Sequence, residues 1–245
     1  MKRIIVAVLI IGLLALGSFV GCGEEDSWLP GPGEKGSGHL ETRVLGFSDF
    51  NRVEAGPAFR IEIARSDSYS VSIIADDNLI DEIEVSRSGE ALVIGLTSGG
   101  HEFTTLRAEI TMPELYGLEL YAATTCTVAG FESTHDFDAT LTAASTVTGD
   151  MTVGDAYFNV SAASRVEISG SGRDIVVEAC AASVTDFADF PVNNADVTLT
   201  GASQGTVNLD GTLDANLSSA STLEFLGKPA MGDIRTSGAS TLKKG

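Results

Sequence analysis

From about residue 116 onward the chain repeats one short pattern of apolar and polar positions. A small residue followed by Ser or Thr recurs as Ala123-Thr124, Ala144-Ser145, Ala163-Ser164, Ala182-Ser183, Ala202-Ser203, Ala220-Ser221 and Ala239-Ser240, at steps of 18 to 21 residues. Apolar or small residues sit six and four before the hydroxyl residue, as in Leu118/Leu120, Phe158/Val160 and Val197/Leu199. Others follow it at two or four, as in Val147, Val166/Ile168 and Leu223/Phe225. Both runs have period two, so each small-residue corner is flanked by two short strands. Gly130, Gly149, Gly170, Gly211 and Gly227 then read as turns, with room for a third short strand. A fixed period near 19 residues built of strands and turns predicts one coil of a parallel β-helix, and crossover handedness predicts a right-handed one.

The corner residues have a physical reason. Each coil bends sharply with its neighbour stacked directly above, so Ala or Gly leaves room and a hydroxyl can bond its own turn or the next coil. Thr124, Ser145, Ser164, Ser183, Ser203, Ser221 and Ser240 therefore read as a structural ladder. A nucleophilic reading of these serines lacks a histidine anywhere in the pattern.

Residues 47–115 lack the 19-residue period. Strands are expected at Arg52–Ala55, Phe59–Ile63, Tyr69–Ile74, Ala91–Leu96 and Leu106–Met112. One capped helical turn is expected within 76–83, and a hairpin turn at Ser88-Gly89-Glu90. This segment reads as an irregular start to the solenoid or an N-terminal β cap over its first edge. The fold class is thus all-β: a single β-solenoid domain over 47–245, with 47–115 irregular and 116–245 regular.

The first 46 residues differ in kind. Met1-Lys2-Arg3, the apolar run from Ile4 to Leu16, and Gly21-Cys22 have the layout of a bacterial secretory signal ending at a lipidated cysteine. Residues 1–21 are expected to be removed and Cys22 to carry a diacylglycerol and an acyl chain such as palmitate. At about 0.8 kcal/mol per buried methylene, such chains anchor stably. An uncleaved span over 4–20 is the competing reading, at the short limit for a membrane. Residues 22–46, rich in Gly, Pro and acid, are expected to be a flexible tether. Trp28, the one tryptophan, falls within it.

Composition narrows the partners. The chain has 245 residues, 15 Lys+Arg against 34 Asp+Glu and a formal charge of −19. So few cations exclude nucleic-acid binding through the phosphate backbone, and the excess of acid repels anionic lipid.

Several segments resemble a known family. Phe47-Ser48-Asp49-Phe50-Asn51-Arg52-Val53, Phe59-Arg60-Ile61-Glu62-Ile63, Ala75-Asp76-Asp77-Asn78-Leu79, Ile110-Thr111-Met112-Pro113-Glu114-Leu115 and the terminal Ser237-Gly238-Ala239-Ser240 are similar to the auto-transporter adhesin, head GIN domain family of bacterial surface lipoproteins. The resemblance runs from about Phe47 to Leu242. It implies a β-helical extracytoplasmic domain without established catalytic residues.

A search for chemistry returns little. His39, His101 and His135 are isolated and no Cys-x-x-Cys occurs, so no metal or other cofactor is expected. Acids at Asp136/Asp138, Asp150/Asp155, Asp186/Asp189 and Asp210/Asp214 could serve calcium but match no calcium motif, and read as solubilising turns. Cys126 and Cys180 fall about three coils apart, too far for a disulfide, and are expected reduced and packed near the core. The expected function is a non-catalytic lipoprotein on the extracytoplasmic face of the cell envelope, at the inner or outer membrane. Its partners would be the bilayer, through Cys22, and a protein or glycan bound for adhesion or scaffolding. The alternative is a β-helix polysaccharide lyase or hydrolase using Arg165, Arg173, Asp150 and Asp155. Against a sugar groove stand only one Trp, four Tyr and eleven Phe, most of those in the repeat lying in core register.

Overall fold

The computed structural model describes residues 33–97 and 100–245. Cys22, Trp28 and the expected leader lie outside the described residues. The N-terminal part contains β1 (Leu40–Leu45), β2 (Arg52–Ala55), β3 (Arg60–Arg65), β4 (Ser70–Asp76), one 3-10 turn (Ile80–Glu82), β5 (Ile83–Ser88), β6 (Ala91–Leu96) and β7 (Leu106–Met112). Seven strand pairs follow: β8 (Gly117–Leu120) with β9 (Thr125–Glu132), β10 (Phe137–Leu141) with β11 (Thr146–Thr152), β12 (Ala156–Val160) with β13 (Arg165–Ser171), and β14 (Asp174–Ala179) with β15 (Val184–Val192). The last three are β16 (Asn194–Leu199) with β17 (Gln204–Leu209), β18 (Thr212–Leu217) with β19 (Thr222–Gly227), and β20 (Ala230–Thr236) with β21 (Thr241–Lys244).

Each pair is one coil. First strands stack in a ten-stranded sheet and second strands in an eleven-stranded one, and coil meets coil in parallel register throughout the repeat. Alternate residues of both sheets point into one core, where Phe137, Phe158, Phe187 and Phe190 form a chain of tilted rings with neighbouring centroids 4.7–6.1 Å apart. The coil holds two strands, not three. The second strand absorbs the extra residues, reaching nine in β15. Gly149 and Gly170, expected in turns, lie inside β11 and β13, with φ of 146° and 116°. A Cβ on either would stand 1.9 Å from a carbonyl oxygen of the preceding coil, so the close stacking itself demands glycine there.

The order of coils in space is not their order in sequence. β2 pairs with both β6 and β8, and β3 with both β7 and β9. The coil formed first in the chain is therefore held between the β6–β7 coil and the regular stack. Beyond β6–β7 the sheets continue as antiparallel strands, with β4 on β7, β1 on β4 and β5 on β6.

β1 corrects the expected tether, which was to run to residue 46. Its registered pairing with β4 and the contacts just before it order this stretch. A Cβ on Gly36 would lie 2.4 Å from the Asp76 carboxylate, and one on Gly33 would overlap the Gly100 carbonyl. These glycines permit close packing rather than flexibility.

Candidate functional site

The corners are built from backbone strain. In each regular coil two successive residues have left-handed φ, for example Ala143 and Ala144 (53° and 63°), Ala162 and Ala163 (54° and 61°), and Gly201 and Ala202 (64° and 62°). Only small side chains tolerate this pair, because a Cβ in the left-handed region crowds the following carbonyl. The second of them donates its N–H to the first of the next coil, as in Ala123 to Ala143 and Ala144 to Ala162, both at 2.8 Å. The hydroxyl residue that follows closes the turn. Thr124, Ser145, Ser183, Ser203 and Ser221 are buried and donate to the carbonyl three residues back at 2.7–2.8 Å. Ser164 and Ser240 instead accept, through Oγ, the backbone N–H of Ser145 and Ser221 in the preceding coil.

The opposite edge has its own ladder. Asp136 accepts the N–H of Asp155, Asp174 that of Asn194, Asn194 that of Thr212, and Asp214 that of Asp233, each spanning one coil. Among the described residues no group of three His, Cys, Asp or Glu is placed to hold a metal ion. Of the four residues named for lyase chemistry, the structure brings Arg173 and Asp155 together and leaves Arg165 and Asp150 with other partners. Arg173 forks onto Asp155, Arg165 pairs with Glu167, and Asp150 accepts the Gly130 N–H. The hydrogen bonds from Arg173 hold the Asp155 carboxyl below the usual carboxylate range, opposite to what a general acid requires. Cys126 is buried and Cys180, contrary to expectation, is exposed. Cys180 opens its corner, at the position held by Thr142, Ser161 and Thr200 elsewhere, where the side chain faces outward.

One corner departs from the pattern. In the β6–β7 coil the strands are not joined by a four-residue turn, residue 97 and residues 100–105 lying between them among the described residues, and in the adjacent β2–β3 coil the hydroxyl is replaced by the buried Phe59. Between them lies a cleft of about 800 Å³ lined by Pro57, Arg60, Leu96, His101, Phe103 and Arg107, among others. Its size falls in the range of small-molecule sites. The loop is fastened through Asp76, whose buried carboxylate accepts from the Thr104 hydroxyl, the Thr104 N–H (2.7 Å), the Thr105 N–H (3.3 Å) and the Gly38 N–H (2.9 Å). Burial alone would raise this carboxyl. The four hydrogen bonds to its charged form outweigh burial and lower it. Sequence reasoning missed the cleft, because the residues that line it carry no period and come from coils distant in the chain.

On the outer face of the ten-stranded sheet, Tyr157 is the exposed aromatic among the described residues, at 43%. It stands in register between Asp138 and Val176.

A family model described as "Putative auto-transporter adhesin, head GIN domain" matches residues 49–229. Among solved structures, that of a putative adhesin from Bacteroides fragilis superposes with a TM-score of 0.81 at 19% identity, covering 86% of this chain and all of the other. A putative adhesin from Parabacteroides merdae gives 0.70 at 14% identity (86% and 98% covered), and a putative lipid binding protein from Parabacteroides distasonis gives 0.67 at 16% (86% and 98%). At these identities the likeness shows the fold. None of the curated proteins compared matches the chain. No helix among the described residues is long and apolar enough to cross a membrane.

Proposed function

The chain belongs to the head GIN domain family of auto-transporter adhesins, and from that premise we propose that it is a non-catalytic binding module. It stands outside the cytoplasm, anchored through lipid on Cys22 and engaging a partner for adhesion or envelope attachment. The observation that carries this reading is the cleft. A solenoid that closes seven successive coils with one tight corner opens that corner once, into an amphipathic cavity braced by a buried carboxylate. Rigid coils hold such a cavity at fixed geometry with little entropy lost on binding. The hydroxyl ladder from Thr124 to Ser240 acts here as scaffold, since each hydroxyl is engaged by the backbone.

Two measurements test the reading. Cells expressing the wild-type chain should carry it in the membrane fraction with incorporated lipid label, and Cys22→Ser should release an unlabelled protein. Cells displaying the wild type should adhere to immobilised glycans or proteins more than cells lacking it, and Thr105→Trp, which fills the cleft, should remove the difference. Adhesion unaffected by the chain's presence would overturn the binding role.

A further inference from the structure

We propose that the cleft beside residues 100–105 binds a carboxylate-bearing sugar, with Arg60 as its anchor. This deepens the binding-module reading and rests on it.

The sequence Arg-x-Glu occurs at three outward positions of the eleven-stranded sheet: Arg60-Ile61-Glu62, Arg107-Ala108-Glu109 and Arg165-Val166-Glu167. Residues two apart on a strand share a face, so each arginine is placed to pair with its own glutamate. Arg107 does so with Glu109 at 2.8 Å, and Arg165 with Glu167 at 3.2 Å. Arg60 does not. Its strand lies in register with β7, Arg60 opposite Arg107 and Glu62 opposite Glu109, and Arg107 takes Glu62 as well, at 2.9 Å. One guanidinium thus holds two carboxylates. Arg60 alone among the arginines of the described residues is left without an ion pair or hydrogen bond. The others, at 43, 52, 65, 87, 107, 165, 173 and 235, all have partners.

In a chain of charge −19 an arginine side chain with no partner is an exception, and here it stands directly beside another arginine. Like charges directly opposite on neighbouring strands destabilise a sheet. Arg107 also has a buried Nε with no partner. Both arginines line the cleft. A bound anion relieves the repulsion, and a planar guanidinium fork matches a carboxylate.

The rest of the lining selects among anions. One unpaired cation balances a single negative charge, whereas Glu102 in the lining, with Glu62 and Glu109 on the neighbouring Arg107, disfavours a phosphate dianion. The lining joins the short apolar surfaces of Phe103 and Leu96 to the polar Thr105 and Arg107, a mixture suited to a sugar ring with one apolar face and hydroxyls at its rim. An acyl chain needs a longer uninterrupted apolar wall.

The test is calorimetric titration of the full-length protein in nonionic detergent. The probes are oligogalacturonate, the neutral oligogalactose, octanoate and inorganic phosphate. Oligogalacturonate should bind with a Kd below about 1 mM and the other three at least tenfold more weakly. Arg60→Gln should weaken oligogalacturonate at least tenfold, and Glu62→Gln, which removes a competing carboxylate, should tighten it severalfold. Arg165→Gln, the same motif outside the cleft, should change nothing. If Arg60→Gln melts early, Arg60→Lys, which keeps the charge and loses the fork, should still weaken binding. No oligogalacturonate binding, binding indifferent to Arg60, or tighter binding of octanoate or phosphate would each overturn the assignment. Adhesion that persists in any of those cases leaves the binding-module reading standing.

Discussion

Arg52 and Asp138 form a two-pronged ion pair across an intervening coil: Arg52 on β2 reaches over Gly117 of β8 to the Asp138 carboxylate on β10, with Nη1 to Oδ2 at 2.8 Å. The residues are 86 apart in sequence. They meet because the first coil of the chain is inserted next to β8, and because Gly117 has no side chain where Arg52 lies. A Cβ there would stand 2.3 Å from Nη1.

That pair reports the coil order in solution. Both side chains are nearly half exposed, so a double-mutant cycle of Arg52→Ala and Asp138→Ala should show a coupling of about 0.5–1 kcal/mol. In a Gly117→Ala background the coupling should vanish. Overall stability should then stay within about 0.5 kcal/mol, since relief of a strand glycine offsets the lost pair. Coupling that survives unchanged in the Gly117→Ala background would mean that Arg52 does not pass over β8.

The corners predict effects of opposite sign from three substitutions. Ser145→Ala removes a buried hydrogen bond and should cost about 1 kcal/mol in urea unfolding. Ser164→Leu overpacks the stack and should cost roughly 1–3 kcal/mol. Ala143→Gly relieves a left-handed alanine and should stabilise by up to about 1 kcal/mol after the entropy of the unfolded glycine is counted. Destabilisation by Ala143→Gly would show that the alanine methyl is needed for packing.

Asp76 couples the ordered N-terminal segment to the cleft loop. Its folded carboxyl is lowered relative to the unfolded value of about 3.9, so its contribution is complete above about pH 4 and is lost as pH falls through the folded value. Asp76→Ala should cost about 3 kcal/mol at pH 7, because it strands the N–H groups of Gly38 and Thr104. Hydrogen exchange at those amides should accelerate. Asp76→Asn should flatten the acid dependence.

The cysteines test burial without reference to function. Burial pushes the Cys126 thiol far up, so it should resist iodoacetamide at pH 8 until the chain unfolds, while exposed Cys180 reacts in the native state. The two are separated by three coils, about 14 Å along the stack, and no disulfide should appear in the unreduced protein. Native labelling of Cys126 would contradict its place on β9.

What the sequence determined by itself is whatever repeats over a short range. The Ala-Ser markers and flanking apolar alternation located β8 to β21, because a stacked coil imposes the same local demand every 19 residues. The strands expected at 52–55, 59–63, 69–74, 91–96 and 106–112 were equally legible from alternation, two of them falling a residue or two from their bounds at 60–65 and 70–76. β1 and β5 were not, because edge strands bury too few residues to show a pattern. It took the stacked fold to show that two successive small residues in each regular corner turn left-handed, that Gly149 and Gly170 lie in strands, and that β2–β3 sits inside the stack. That fold also decided the charge pairing that leaves Arg60 without a partner and places it at a cleft. The reason is the same throughout. Periodicity records which face of a strand is buried, whereas the neighbour across a sheet is set by which coil stacks where, and that interaction joins residues too far apart in the chain to leave a local trace.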